Sequence, residues 1–468
     1  LLNKNVRDDS QDKELYLMML YLAAKARCCM HTNWHSCHKD FEELGEEEAA
    51  ILHSAQSILA TPKNSWVYEW PNSQEANLLA ANELYQQAFK LPILDKKYPS
   101  FKHLMKKNYA ACIMSLGYTQ LEICKEKVCK KEDFETIQPV WDNSLINCQK
   151  AIKVFEGVGD RNTAGHNCVN VAYLHVLAAA SVYNQSTTSD LFPPAEKDHL
   201  AKVVEWYEKG LSRYEKSEKM DDYRETIYHN IRMHYQQMAQ RYFTLPTGKI
   251  TEQDLRCMKE LLQKSLSYCF PDSQKKYLKK GQICAANNYL NLARVFDVEA
   301  TLCTNPSRKK NLRQKMEENF QNSFNIYNQI HWRRSQMCCK FLWIDSLPNE
   351  SESKMISPQV KKKLIRNIFL HLYDLHPVLV ALKEGMCDPE DDTAVHSTDL
   401  SAVKQLLTTF NAACCSLLKN DMTNNSVKQL YQRSLRLTTL TELEDILLPL
   451  TSILADMKGL LTTDLVHH

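Results

Sequence analysis

The chain has 468 residues, with 58 Lys and Arg against 56 Asp and Glu and a formal charge of +2, so no net field draws it to nucleic acid or an anionic membrane. Ten glycines and fifteen prolines fall below ordinary usage, which favours long helices over many short strands. No run reaches the 18 or more apolar residues of a membrane span; the best, VAYLHVLAAASVY at 171–183, is shorter and contains His175.

The chain starts at Leu1 without a charged-then-apolar leader, and it is expected to be a fragment whose true beginning is out of view. Seventeen cysteines, odd in number and often adjacent (Cys28–Cys29, Cys338–Cys339, Cys414–Cys415), read as reduced intracellular thiols and not as a disulfide framework. Sequons at Asn184, Asn349 and Asn424 carry little weight without a secretory signal. Residues 1–80 read as N-terminal helices and a loop. Within them CCMHTNWHSCH (28–38) brings Cys28, Cys29, His31, His35, Cys37 and His38 together, residue types that zinc prefers. Structural zinc sites pair two separated ligand couples, and no second Cys-x2-Cys follows at a suitable distance. The window is therefore read as a loop; were a metal bound, Cys28, His31, His35 and His38 would be its ligands.

From residue 81 the periodicity is helical and no alternation of period two persists. Breaks fall at 60–74, 184–198, 243–254, 303–310, 347–358 and 387–399, with helical blocks between them. Six segments share a bulky residue, two polar residues, a small residue and an apolar one: Tyr85-Gln-Gln-Ala88-Phe89, Cys148-Gln-Lys-Ala151-Ile152, Tyr207-Glu-Lys-Gly210-Leu211, Leu262-Gln-Lys-Ser265-Leu266, Phe320-Gln-Asn-Ser323-Phe324 and Tyr431-Gln-Arg-Ser434-Leu435. Consecutive small positions lie 55–63 residues apart until the last interval of 111, with a degenerate copy expected around 365–385. That period holds two helices of roughly twenty residues and their loops. A second box recurs between the copies of the first: Val171-Ala172-x-x-His175, Met238-Ala239-x-x-Tyr242 and Leu292-Ala293-x-x-Phe296, with Leu116-Gly117 a looser relative. Each helix thus offers a small notch and a large knob, the means by which stacked hairpins bury a continuous core.

These boxes resemble the tetratricopeptide repeat, in which an L-G-x-x-Y helix packs on a Y-x-x-A-L helix; YQQAFKLP even ends on the expected Pro92. The resemblance covers about residues 80–340 and again 425–440, with hairpins longer than the usual ~34-residue repeat. It implies an α-solenoid whose inner helices hold an extended peptide or a partner helix. Running sequence, including ELYQQAFKLPILDKKYPSFKHLMKKNYAACIMSLGYTQLEIC (83–124), is also similar to the erythroid differentiation-related factor family, which implies a nuclear regulator of erythroid and globin gene transcription. The residue after the small position of the second box is Tyr173, Gln240 or Arg294. The carboxylate clamp of some tetratricopeptide proteins is therefore not carried over, and Asn288, Asn291 and Arg294 form the best single polar patch.

Motifs for catalysis fail on their own terms. EGVGD (156–160) lacks the third glycine and the preceding strand of a dinucleotide loop; it reads as a helix end followed by Asp160 as an N-cap. TGKIT (247–251) lacks the earlier glycine of a phosphate loop. Cys124 and Cys129, five apart, do not share a helix face. The basic runs SRKKNLRQK (307–315), VKKKLIRN (360–367) and SQKKYLKKGQ (273–282, with Lys275, Lys276, Lys279 and Lys280) read as solvated faces.

The expectation is an all-α solenoid of irregular, long tetratricopeptide-like hairpins, divided into residues 1–80, a repeat array at 81–346 and C-terminal repeats or a cap at 359–468. It is expected to bind other proteins, among them transcription regulators, with no catalytic, cofactor or metal site and no membrane contact. The alternative is an RNA- or DNA-binding α-repeat, which requires basic residues recurring once per repeat.

Overall fold

Helix ends in this chain are set by side chains placed at the junctions. The computed structural model describes residues 10–29, 73–96, 98–185, 191–215, 217–270, 278–347, 358–384, 396–420 and 424–463, and among these every regular element is helical. The helices of eight residues or more are, in order, α1 (Ser10–Cys29), α2 (Gln74–Phe89), α3 (Pro99–Cys129), α4 (Phe134–Gly157), α5 (Arg161–Gln185), α6 (Pro194–Leu211), α7 (Asp221–Tyr242) and α8 (Glu252–Ser267). There follow α9 (Leu278–Leu302), α10 (Pro306–Gln329), α11 (Arg333–Asp345), α12 (Pro358–Tyr373), α13 (His376–Lys383), α14 (His396–Asn420), α15 (Asn425–Leu437) and α16 (Leu443–Thr463). The fold is an all-α solenoid of long, irregular tetratricopeptide-like hairpins in which helices pack against their sequence neighbours. None of the described helices is long and apolar enough to cross a membrane.

Caps account for the boundaries. Ser73 accepts from Ala76 N at 3.2 Å to open α2, Asp160 from Thr163 N at 3.0 Å to open α5, and Asn305 from Ser307 N at 3.0 Å to open α10. Thr251 and Asp254 cap each other's backbone groups at the start of α8, so TGKIT is a connection with a capping box at its end. Asn424, one of the sequons, spends its side-chain oxygen on Val427 N at 3.1 Å. Proline opens α3, α6, α10 and α12, where a missing N–H costs nothing.

Three C-terminal ends share one device. Lys131, Gly159 and His331 adopt left-handed backbone with φ of 59°, 82° and 59°. The next N–H turns back to a helix carbonyl: Glu132 to Lys127 at 3.1 Å, Asp160 to Phe155 at 2.9 Å and Trp332 to Tyr327 at 2.9 Å. EGVGD is thus the close of α4 and the cap of α5.

All six small positions of the first box, Ala88, Ala151, Gly210, Ser265, Ser323 and Ser434, are buried. The bulky position is buried in five, and Tyr431 is half-buried. The apolar residue four places on behaves differently from the expected common face: only Ile152 is buried, while Leu435 is 42% exposed. With about 100° per residue, that position stands a quarter turn from the notch, at the edge of the buried stripe. The span 365–385, where a degenerate copy is expected, holds the end of α12 and the short α13.

Two compact units divide the chain, Leu1–Ile227 and Tyr228–His468. In the first, one cluster runs from Leu17 to Ala178. Its aromatic spine joins Tyr21 of α1, Tyr85 of α2 and Tyr109 of α3, with centroids 6.4 and 5.8 Å apart. Gly117 brings α3 onto α4: a Cβ there would stand 2.7 Å from Cys148 Sγ, and Ser144 Oγ donates to the Gly117 carbonyl at 2.6 Å. Gln120 donates to Glu75 at 2.9 Å and accepts from Asn147 at 3.0 Å, tying α2, α3 and α4 in one polar chain. Trp141 of α4 donates its indole N–H to Leu174 O at 2.8 Å and lies against the His175 and His199 rings, both 5.5 Å away. The two imidazole Nδ1 atoms are 3.0 Å apart, one donating to the other.

In the second unit, Phe320 of α10 stacks on Trp343 of α11 at 5.7 Å, and Lys340, buried beneath, reaches Asp374 at 2.8 Å while lying 4.3 Å from the Trp343 ring. Burial holds the Lys340 pKa below its usual value, against the pull of Asp374. A separate cluster built on Ile365, Phe369, Leu406, Phe410, Leu430 and Leu450 joins α12, α14, α15 and α16.

Two measurements check this packing. Gly117→Ala must push Cys148 aside and should cost about 1–3 kcal/mol in urea unfolding, whereas Gly157→Ala, with open space around its Cβ position, should be neutral or stabilising by up to about 1 kcal/mol. His175, 2% exposed, has its pKa lowered to about 4 by burial, then by His199 and Lys202, against an opposing pull from Glu205. The unfolded chain therefore takes up this proton first as pH falls. The contribution is present above about pH 6.5 and is lost toward pH 4, on the order of 3 kcal/mol. Urea midpoints at pH 7 and pH 4.5 should converge in His175→Gln relative to the parent; an unchanged slope would contradict the assignment.

Candidate functional site

The notch of the second box fixes the direction of the residue that follows it. Leu116 and Gly117 of α3 are buried, as are Val171 and Ala172 of α5, so Tyr118, one position on, turns away from the core, while Tyr173 at the matching position of α5 lies at its edge and packs partly against it. Tyr118 is 50% exposed and Tyr173 half-buried. α3 and α5 pack against each other, and this register repeats on neighbouring helices as two tyrosines on one face.

Charged groups one turn along α3 complete the face. Glu122 hydrogen-bonds Tyr118, and its negative charge raises the phenol pKa above the ordinary value, with burial adding to the effect. Lys125 lies 3.3 Å from Glu122, and its own pKa is raised first by that hydrogen bond and then by the carboxylate charge. Lys125 also senses Tyr173 across the helix pair. The face therefore combines two aromatic rings, a carboxylate and an ammonium, a mixture suited to contact with a polypeptide, since rigid tyrosines supply contact area at small entropic cost.

In the second unit the same register position holds Gln240 of α7, exposed, and Arg294 of α9. Arg294 lies 4.3 Å from the Phe243 ring, and burial lowers its pKa. The polar patch expected at Asn288, Asn291 and Arg294 is not a surface patch. Asn288 is fully buried: it accepts from Gln236 at 3.0 Å and donates to Ser265 Oγ at 2.8 Å. Asn291 is buried as well. Helical spacing sets Asn288 on the face that carries Ala285 and Leu292, both buried, and its amide is used to satisfy core polar groups.

Of the zinc-like window, Cys28 closes α1 and meets the thiol of Cys112, whose hydrogen bond leads the causes that push the Cys28 pKa up. Cys29 ends the same helix, and His31, His35, Cys37 and His38 lie outside the described residues. Among the described residues no group of three His, Cys, Asp or Glu is placed to hold a metal. Cys124 is buried and Cys129 exposed, as their spacing requires. Within the basic run at 307–315, Arg308 is committed to Glu252 at 3.2 Å and Glu299 at 3.0 Å. Lys279 and Lys280 open α9 and Lys361 to Lys363 lie on α12, whereas Lys275 and Lys276 are outside the described residues.

Tyr118 was not singled out by the sequence motifs, although its signal was present. It follows Gly117 as Tyr173 follows Ala172.

A family model described as "Erythroid differentiation-related factor 1-like, TPR repeats" matches residues 107–345, just over half of the chain and including both tyrosines. No curated protein matches. Among solved structures, a "Circular tandem repeat protein with novel repeat topology and enhanced subunit contact surfaces" aligns over 96% of this chain and 98% of its own at 9% identity, with a TM-score of 0.34, too low for any conclusion about shape or function.

Proposed function

Because the chain belongs to the erythroid differentiation-related factor 1-like family of tetratricopeptide-repeat proteins, we propose that it is a non-catalytic scaffold that holds other proteins on the face of α3 and α5 centred on Tyr118 and Tyr173. The observation that carries this reading is the half-exposed Tyr118 of α3, hydrogen-bonded to Glu122, with Lys125 beside it and the partly buried Tyr173 of the packed helix α5 within electrostatic reach. The occupant is an extended peptide or a partner helix that lays apolar side chains on the rings and pairs its charges with Glu122 and Lys125. In this reading residues 81–346 form the binding array and 359–468 a C-terminal helical cap. The family name supports a nuclear role, with transcription regulators of erythroid differentiation as partners. Nucleic acid is a poorer fit, since Arg308 is engaged within the fold and the formal charge is +2.

The reading is tested by exchanging Tyr118 for a photo-crosslinking amino acid, identifying the captured proteins from erythroid nuclei, and measuring the binding of each purified partner. Tyr118→Ala with Tyr173→Ala should weaken binding at least tenfold, about 1.4 kcal/mol or more, while Tyr118→Ala alone, at the exposed ring, should leave the thermal unfolding midpoint unchanged. Equal affinity of parent and double variant for every captured partner would overturn it.

A further inference from the structure

Two thiols in the second unit meet in an arrangement that packing alone does not require. Cys269 lies two residues beyond the end of α8, and Cys284 sits near the start of α9. Both are buried and, with Ala285, form a small cluster of their own, bordered by Leu266, Tyr289 and Ile326. Their side chains are in hydrogen-bond contact with each other. The amide nitrogen of Asn288, one turn further along α9, stands 3.8 Å from both sulfurs, and Gln236 approaches Cys284 Sγ at 3.3 Å.

A backbone feature holds them together. At Gly281, three residues before Cys284 and on the same face of α9, a Cβ would stand 2.1 Å from the Cys269 carbonyl oxygen. Any other residue there would force the α8 end and the α9 start apart. The contact brings two chain segments within reach of a covalent link, and the junction lies at helix ends, which open locally at lower cost than helix interiors. Phe270, beside Cys269, is half exposed, so the pair lies close beneath the surface.

We propose that Cys269 and Cys284 are a redox-modification site, forming a reversible disulfide when the protein meets hydrogen peroxide or another two-electron peroxide oxidant. The step balances as two thiols plus one peroxide giving one disulfide plus two waters. One sulfur attacks the peroxide, the O–O bond breaks, and a sulfenic acid forms with release of water. The second sulfur then displaces the sulfenic oxygen, which leaves as the second water with the remaining thiol proton. Reduction by a dithiol reverses the link through thiol–disulfide exchange. In the closed state the hydrogen bond with Cys284 and burial raise the Cys269 pKa, and the Cys269 thiol donates to the Ser265 carbonyl at 3.4 Å, so reaction proceeds through opening of the junction. The other cysteine arrangements are less apt: Cys28 also meets Cys112, but Cys112 lies in the middle of α3, where opening costs more than at a helix end, and Cys338 and Cys339 are neighbours on one helix, one half-buried and the other buried.

The test uses the whole chain, reduced and desalted, then titrated with hydrogen peroxide. Remaining thiols are alkylated under denaturing conditions, and unreduced digests are read by mass spectrometry. A peptide pair joining Cys269 to Cys284 should appear at lower peroxide than any other cross-link and vanish on treatment with dithiothreitol. Gly281→Ala should lower its yield several-fold, while Gly157→Ala should leave it unchanged. The parent measurement stands by itself should Gly281→Ala fold poorly. Recovery of both Cys269 and Cys284 as alkylated thiols while other cysteines oxidise, or pairing of Cys269 with a different cysteine, would overturn the proposal.

Discussion

The rest of the structure depends on close approach between helices at small residues. A helix carrying a large residue at its point of contact must stand off; one carrying Gly117 can bring its carbonyl to within 2.6 Å of Ser144 Oγ on the next. The six small positions of the first box lie on six helices, all buried. Large side chains such as Tyr85, Leu262 and Phe320 then fill the space one turn away, each fully buried. Hydrophobicity supplies the drive to stack, while the notches set the spacing. Three of the six notches are serines, and Ser265 donates to the Arg232 carbonyl at 3.1 Å while accepting from Asn288, so the notch also serves as a polar junction.

Long helices stacked on one another bring polar side chains inside, and the fold resolves them by pairing. Gln120 joins three helices, Asn288 joins Gln236 to Ser265, and Lys340 lies between Phe324 and Trp343 with its ammonium on Asp374. A buried ammonium left unpaired would be far more costly than one held in this way. Such pairs contribute little net energy, but each is satisfied in one register only, which favours the observed helix pairing over a slipped one.

Repeat architecture was legible in the sequence because notch and knob spacing is local: Ala88 and Ser434 could be compared without knowing what they touched. Caps were legible for the same reason, as with Asp160. Direction around the helix was less so. Asn288 read as surface because it is polar, yet its amide is consumed by Ser265 and Gln236, partners 23 and 52 residues away. The Cys269–Cys284 contact was equally hidden, since it requires Gly281 to seat one helix end on another. Tyr118 is the reverse case: its place after the Gly117 notch is a local signal, but an aromatic beside a small residue reads equally well as core, and only its 50% exposure sets it on the surface.

The left-handed turns at Lys131, Gly159 and His331 give the chain a property of its own. Each joins consecutive helices through only a few residues and ties its last carbonyls to the connection itself. With no slack in these joints, an added residue cannot be absorbed as a bulge. It is passed on as a rotation of about 100° in the facing of the next helix. The connection between α5 and α6, by contrast, counts eight residues between Gln185 and Pro194. Length variation within the lineage should therefore accumulate in the long joints and be purged from the short ones, leaving the angular register of the tyrosine face intact while the chain changes size.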